Sequence, residues 1–145
     1  MAARKVQVFF YGSYINLSAL EEAGIKRRAF APAAIHGFVI EVKPLANLVE
    51  GGDGVVYGIL ANLTHDELDQ IYRHATDTLK GHVYNPEAVI VHTRGGKTVP
   101  AMVYICHEME AGKADPAYVE RILESARSYG FPKWYQERLA SFKAA

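Results

Sequence analysis

Apolar positions in the first part of the chain predict short strands with one helix among them. Residues 6–11 form an apolar run rich in β-branched and aromatic side chains, which is typical of a buried strand. The segment from Leu17 to Ala23 has the pattern of a short helix, with Asn16 placed to cap it and Gly24 to end it. Further strand-like segments are residues 33–42 (interrupted at His36-Gly37), 45–49 and 55–60, with a glycine-rich turn predicted at residues 50–54.

The pattern in the second part of the chain predicts one helix before a hairpin and two helices after it. Thr64 and Glu67 fit a capping box, and the helix that follows is predicted to run to about His74. A polar loop is predicted from Ala75 to Asn85. The remaining elements are a hairpin of residues 86–93 and 98–107, a helix from Asp115-Pro116 to Gly130, and a last helix from Pro132.

This order of elements predicts an α+β fold. Strands and helices do not alternate regularly, which argues against a doubly wound parallel sheet. We expect residues 1–145 to form one domain, with a small mixed β-sheet that curls toward a barrel and helices that flank it.

Composition and charge narrow the possible partners. Sixteen basic and sixteen acidic residues cancel, so no basic field indicates a nucleic-acid partner. No apolar stretch is long enough to span a bilayer and no signal-peptide pattern is present, so we expect no membrane partner and a cytoplasmic location. Cys106 is the single cysteine, which excludes an internal disulfide, and the six histidines lack the spacing of a metal site.

The junction after the first strand is a candidate binding site. Tyr11-Gly12-Ser13 ends an apolar strand and precedes a short helix. Glycine permits a close approach of the backbone, and unpaired N–H groups at such a junction suit a carboxylate or another anion. The alternative is a tight strand-to-helix turn that binds nothing.

Several motifs, in this order along nearly the whole chain, resemble the γ-glutamylcyclotransferase-like (AIG2-like) family. The first is Phe10-Tyr11-Gly12-Ser13 with the nearby Asn16. The others are Gly37-Phe38, Ala46-Asn47-Leu48, Val56 to Leu60, Leu63 to Leu68, Ala101 to Tyr104, Pro116 to Val119, Gly130 to Pro132 and Tyr135 to Leu139.

This resemblance implies a fold and a chemistry. Active members cleave γ-glutamyl amides without water: the α-amine attacks the γ-carbonyl, which gives 5-oxoproline and releases an amine. The implied ligand is a small γ-glutamyl or amino-acid compound, and no cofactor is implied. The implied substrate-binding residues are Tyr11, Gly12, Ser13, Tyr14 and Asn16. The expected assembly is a monomer or a homodimer.

One departure from the family pattern concerns the proton acceptor. The glutamate that closes the second helix in active members falls on Ala75, and the preceding aspartate falls on Tyr72. A methyl group cannot accept a proton. Either this is a natural branch that lost or relocated its base, or the residue was replaced to trap a ligand; the second departure at Tyr72 favours the natural branch.

Three residues near Ala75 are candidate replacements for the missing base. Asp77 follows two residues later, Glu87 begins the next strand, and His74 is adjacent to Ala75. Histidine is the side chain type that most often exchanges protons near neutral pH. Each has a structural alternative: a solvated loop acid, an outward strand residue, and a favourable partner of the helix C-terminus, respectively.

Two functions therefore remain open at the level of the sequence. One is a cyclotransferase-type enzyme with a relocated base. The other is a non-catalytic metabolite-binding or interaction module that keeps the fold, with a cavity that holds a ligand or is filled by Tyr72 and its neighbours.

Overall fold

The computed structural model describes residues 5–26, 28–79 and 82–143, without the side chains of residues 76–79. The strands are β1 (Lys5–Phe10), β2 (Ala31–Val42), β3 (Ala46–Thr64), β4 (Asn85–Thr93) and β5 (Thr98–Ile105). A 3₁₀ turn (Ser13–Ile15) precedes the helices α1 (Leu17–Glu22), α2 (His65–Leu79), α3 (Pro116–Tyr129) and α4 (Lys133–Ser141). None of the helices in these ranges is long and apolar enough to cross a membrane.

The five strands close into a barrel in the order β1-β3-β2-β4-β5, which confirms the predicted α+β class with a curled mixed sheet. Neighbouring strands are antiparallel except β1 and β5, which run parallel and meet at Val8 and Met102. The alternating apolar side chains of the strands fill the interior, and α3 and α4 pack on it through Ile122, Leu123 and Leu139.

Residues 50–54, where a turn is predicted, lie within β3, but residues 51–54 have no partners on β2, because the pairing passes directly from His36–Val55 to Phe38–Glu50. These residues form a bulge, and Gly54 lets its backbone approach β2 closely. A Cβ on Gly54 would lie 2.2 Å from the carbonyl oxygen of Phe38 on β2. The predicted interruption at His36-Gly37 is present as a register shift within β2, where Gly37 has a φ of +90°.

Helix α2 is longer than predicted. It extends to Leu79 rather than ending near His74, so the predicted loop at residues 75–79 is wrong. Leu68, Ile71 and Ala75 follow one another at i, i+3 and i+7, and all three are buried. Ala75 therefore continues the buried stripe of the helix. His74 consequently lies more than one turn before the helix end, and its predicted role as a partner of the helix C-terminus is wrong.

The capping box at the start of α2 is confirmed. Thr64 Oγ1 accepts from the Glu67 N–H at 3.1 Å, and Glu67 Oε1 accepts from the Thr64 N–H at 3.0 Å. Arg28 adds two hydrogen bonds to the same carboxylate. These contacts fix the start of the helix that lines the candidate site. The bonds from Arg28 also hold the pKa of Glu67 below its ordinary value of 4.5.

Glu67→Gln is expected to lower the free energy of unfolding by about 1 kcal/mol at pH 7. A carboxylate with a depressed pKa in the folded state stabilises the fold above its unfolded pKa. That contribution is lost as the pH falls below about 4.5. Urea unfolding at pH 7 and pH 3.5 measures it, with Asp66→Asn, an exposed neighbour, as the control. The prediction is contradicted if wild type and Glu67→Gln differ in unfolding free energy by the same amount at both pH values.

Candidate functional site

A cavity of about 110 Å³ lies where the end of β1 meets the inner face of α2. Its walls are mainly aromatic. The aromatic lining residues are Phe9, Phe10, Tyr11, Tyr14, Tyr72, Tyr84, Tyr104 and Tyr118, and the others are Gly12, Ser13, Ala46, Leu68, Ile71 and Ala75. In a cavity whose walls are mostly apolar, a few polar groups determine how a ligand is oriented.

The turn after β1 lines this cavity and carries unpaired donors. Within the described residues, the N–H groups of Gly12, Ser13 and Tyr14 donate to no acceptor, and Ser13 Oγ has no partner. The turn continues as a 3₁₀ turn, in which the carbonyls of Gly12 and Ser13 accept from Ile15 and Asn16. Successive free N–H groups beside a cavity form the type of concave surface that binds anions.

A close approach to β3 favours glycine at position 12. A Cβ on Gly12 would lie 3.0 Å from the Cβ of Ala46, at the start of β3. The φ of Gly12 is −106°, which other residues also adopt. The limited space beside Ala46 therefore favours glycine at this position.

Two tyrosines hold the backbone of Ala46 from either side. Tyr84 Oη donates to the Ala46 carbonyl at 2.5 Å, and Tyr118 Oη accepts from the Ala46 N–H at 3.1 Å. The hydroxyl proton of Tyr118 has no acceptor among the described residues. It is therefore a free O–H donor beside the N–H groups of the turn.

Burial keeps several of the cavity tyrosines neutral at physiological pH. Burial raises the pKa of Tyr14 to about 12, with smaller contributions from Tyr118 and Glu22. Burial also raises the pKa of Tyr11, Tyr84 and Tyr104. Tyr11 Oη donates to the Tyr104 carbonyl at 2.6 Å, which anchors the end of β1 to β5. These hydroxyls can donate or relay a proton, but they are not phenolates.

Ala75 lies on the cavity wall and is 5% exposed. The position onto which the family resemblance places the glutamate of active members thus lines the cavity, and it carries a methyl group. Tyr72, the second residue that departs from the family pattern, lines the cavity without filling it. Its ring packs edge-on against the ring of Tyr104, with the ring centroids 5.3 Å apart. No carboxylate lines this cavity within the described part of the chain.

The three candidate bases occupy different places. His74 lies outside the cavity lining, but its Nδ1 is 2.9 Å from Oη of Tyr14, which lines the cavity. Glu87 is exposed on β4 and lies 3.6 Å from Nε2 of His107, away from the cavity. Asp77 is in α2 rather than in a loop, and its side chain lies outside the described residues. A catalytic role for any of them stays a prediction.

Most, but not all, of the predicted binding residues line the cavity. Tyr11, Gly12, Ser13 and Tyr14 line the cavity, whereas Asn16 does not. Asn16 Oδ1 accepts from the Ala19 N–H at 3.1 Å and caps α1. A ligand contact for these residues stays a prediction. Sequence analysis missed Ala46 and Tyr118, because nothing in their local pattern shows that the start of β3 and the first turn of α3 meet the β1 turn.

Comparisons with known proteins give the family. Residues 55–139, more than half of the chain, match the model of the AIG2-like family. No curated protein matches the chain significantly.

Solved structures share the fold at low sequence identity. A structure described as γ-glutamyl cyclotransferase has a TM-score of 0.79 at 20% identity and covers 94% of this chain and 86% of its own. An uncharacterized protein from Homo sapiens has a TM-score of 0.80 at 20% identity with the same coverage. A yeast γ-glutamyl cyclotransferase specific to glutathione has a TM-score of 0.67 at 13% identity and covers 97% and 96%. These similarities show a common fold, and with the matching family model they establish that this chain belongs to the AIG2-like family.

Proposed function

We propose that this protein binds a small γ-glutamyl compound, or a related amino-acid amide, in the cavity beside Gly12 and cyclises it to 5-oxoproline with release of an amine. The observation that carries the proposal is the row of free N–H groups at residues 12–14 beside an open cavity. Membership of the AIG2-like family and the fold shared with γ-glutamyl cyclotransferases support it.

The α-carboxylate of the ligand would bind the turn. No lysine or arginine lines the cavity in the described ranges, so neutral N–H and O–H donors would hold the charge. Tyr118 would add its free hydroxyl proton. The aromatic walls would fold the glutamyl chain so that its amine meets its γ-carbonyl. Such proximity can contribute ~7–11 kcal/mol to lowering the barrier.

The direct test measures 5-oxoproline release from a panel of γ-glutamyl amides, together with thermal shifts in glutamate, glutamine and 5-oxoproline. Turnover of at least one amide supports the enzymatic function. A ligand at 100 times its dissociation constant should add ~2.7 kcal/mol to the free energy of unfolding. Neither turnover nor any thermal shift contradicts the proposal.

A second function has one specific observation in its favour. The methyl group of Ala75 replaces the expected carboxylate on the cavity wall, as in a module that binds a metabolite without converting it. Thermal shifts without turnover across the whole panel support this alternative. A cytoplasmic location and a monomeric or homodimeric state stay predictions in either case.

Gly12→Ala is expected to weaken ligand binding by about tenfold, which corresponds to ~1.4 kcal/mol. The added methyl would press on Ala46 at 3.0 Å and displace the turn that carries the free N–H groups. The matched control is Gly95→Ala in the β4–β5 turn, where a Cβ would meet one atom, at 3.9 Å. The dissociation constant from ligand-dependent thermal shifts measures the effect. Equal affinities of the two variants contradict a role for the turn.

A further inference from the structure

Cyclisation requires an acceptor for the ammonium proton, since a protonated amine has no lone pair with which to attack. Among the described residues, neither a carboxylate nor an imidazole lines the cavity. Tyr14 is not itself a phenolate near neutral pH, because burial raises its pKa to about 12. Among the described side chains, an acceptor therefore has to lie behind the wall and be reached through a group that lines it.

One chain of side chains leaves the cavity in this way. Tyr14 lines the cavity, and its Oη lies 2.9 Å from Nδ1 of His74 on α2. The other ring nitrogen of His74, Nε2, lies 3.9 Å from Oε2 of Glu22 on α1. His74 is half-buried, and its ring meets that of Tyr14 with centroids 5.9 Å apart. Three separate elements thus place a phenol, an imidazole and a carboxylate in sequence.

We propose that Tyr14 passes the ammonium proton of the substrate to His74, with Glu22 facing the imidazole on its far side. This inference rests on the proposed cyclotransferase function. Tyr14 is the group that would touch the substrate, and His74 and Glu22 act through it. The relay would replace the carboxylate that active members carry at the position of Ala75.

The step balances without water or a co-reactant. The substrate ammonium gives a proton to Tyr14 Oη as the hydroxyl proton of Tyr14 moves to His74 Nδ1. The amine lone pair then forms the bond to the γ-carbonyl carbon, and the bond from that carbon to the leaving nitrogen breaks. The attacking nitrogen loses two protons in total and the leaving amine gains two, through the same relay, so the protein returns to its starting state.

From the geometry we expect the loss of His74 to reduce turnover more than the loss of Glu22. His74 is within hydrogen-bond distance of Tyr14, so its loss removes the acceptor. The side chain of Glu22 is 65% exposed and lies 3.9 Å from Nε2, so water and salt screen its attraction for an imidazolium. Glu22→Gln should therefore reduce the turnover number only a few-fold, and less at high ionic strength.

The experiment compares His74→Asn and Tyr14→Phe with the wild type. Asparagine can keep a hydrogen bond to Tyr14 near the position of Nδ1, but it cannot take up a proton. Phenylalanine keeps the ring and removes the hydroxyl. We expect kcat for 5-oxoproline formation to fall by ~10²-fold or more in both variants. The affinity for 5-oxoproline, measured by thermal shift, should change less than roughly threefold, which separates loss of proton transfer from loss of structure.

The control is His65→Asn, an exposed histidine on the same helix, which should leave kcat unchanged. Wild-type kcat in His74→Asn overturns the relay and leaves the proposed function intact. A parallel loss of affinity and kcat in both variants shows a structural role and also overturns it. A wild-type protein that binds 5-oxoproline but turns over no amide overturns both the relay and the enzymatic function. Absence of binding as well as turnover overturns the proposed function as a whole.

Discussion

Ala75→Glu in a His74→Asn background is expected to restore 5-oxoproline formation by ~10²-fold or more. Ala75 is 5% exposed and lies on the wall of the cavity, so a carboxylate there could take the ammonium proton directly. The relay through Tyr14 would no longer be needed. The measurement is kcat for a γ-glutamyl amide that the wild type converts.

Ala75→Gln in the same background is the matched control, because it adds nearly the same volume without a base. Restoration by glutamine as well as glutamate would show that the gain comes from packing rather than from proton transfer. A folded glutamate variant that binds 5-oxoproline but stays inactive would show that position 75 does not reach the reacting amine.

The same substitution should make stability depend on pH. Burial beside aromatic side chains raises the pKa of a carboxyl group, because it disfavours the charged form. A group with a raised folded pKa destabilises the fold increasingly as the pH rises above its unfolded pKa. Ala75→Glu should therefore lose more stability, relative to Ala75→Gln, at pH 8 than at pH 4, as urea unfolding would measure.

Gly58→Ala is expected to cost ~3 kcal/mol of unfolding free energy or more. A Cβ at this position of β3 would lie 2.0 Å from the carbonyl oxygen of Phe10 and 2.9 Å from Cζ of Phe9. The backbone of β1 would have to move, because Phe10 pairs with Ile59 beside the glycine. Since β1 ends in the turn that carries Gly12, ligand affinity should fall together with stability.

Gly52→Ala is the matched control in the same strand. A Cβ there would meet nothing within 4 Å, and the backbone of Gly52 is not in the left-handed region. The substitution should be neutral or stabilise the fold by a few tenths of a kcal/mol, through a less flexible unfolded chain. Urea unfolding of the two variants measures the difference. Equal stabilities would contradict the close approach of β1 and β3.

Local sequence signals predicted local structure well. The capping box of Thr64 and Glu67, the cap at Asn16 and the αL residue Gly130 after α3 are all present. Each depends on hydrogen bonds between residues a few positions apart, so the pattern contains the necessary information. The errors occurred where a local pattern was ambiguous. The glycines at residues 51, 52 and 54 indicated a turn that separates two strands, but they lie in an unpaired bulge inside β3, opposite Gly37 of β2.

The candidate site was predicted in part, for a related reason. The strand-to-helix junction at Tyr11-Gly12-Ser13 is a local feature, and it lies at the cavity as expected. Tyr118 contributes from the first turn of α3, and its contact with Ala46 joins residues 72 positions apart. No periodicity along α3 indicates that contact.

The sequence by itself determined the α+β class, the place of the junction at Tyr11-Gly12-Ser13, and the absence of a carboxylate at position 75. Only the tertiary structure decided that Tyr14 meets His74, 60 positions away, and that Glu22 faces the same imidazole. The physical reason is how far apart in the sequence the interacting residues are. Caps and turns follow from neighbouring residues, whereas a contact between distant residues depends on strand register and on closure of the barrel.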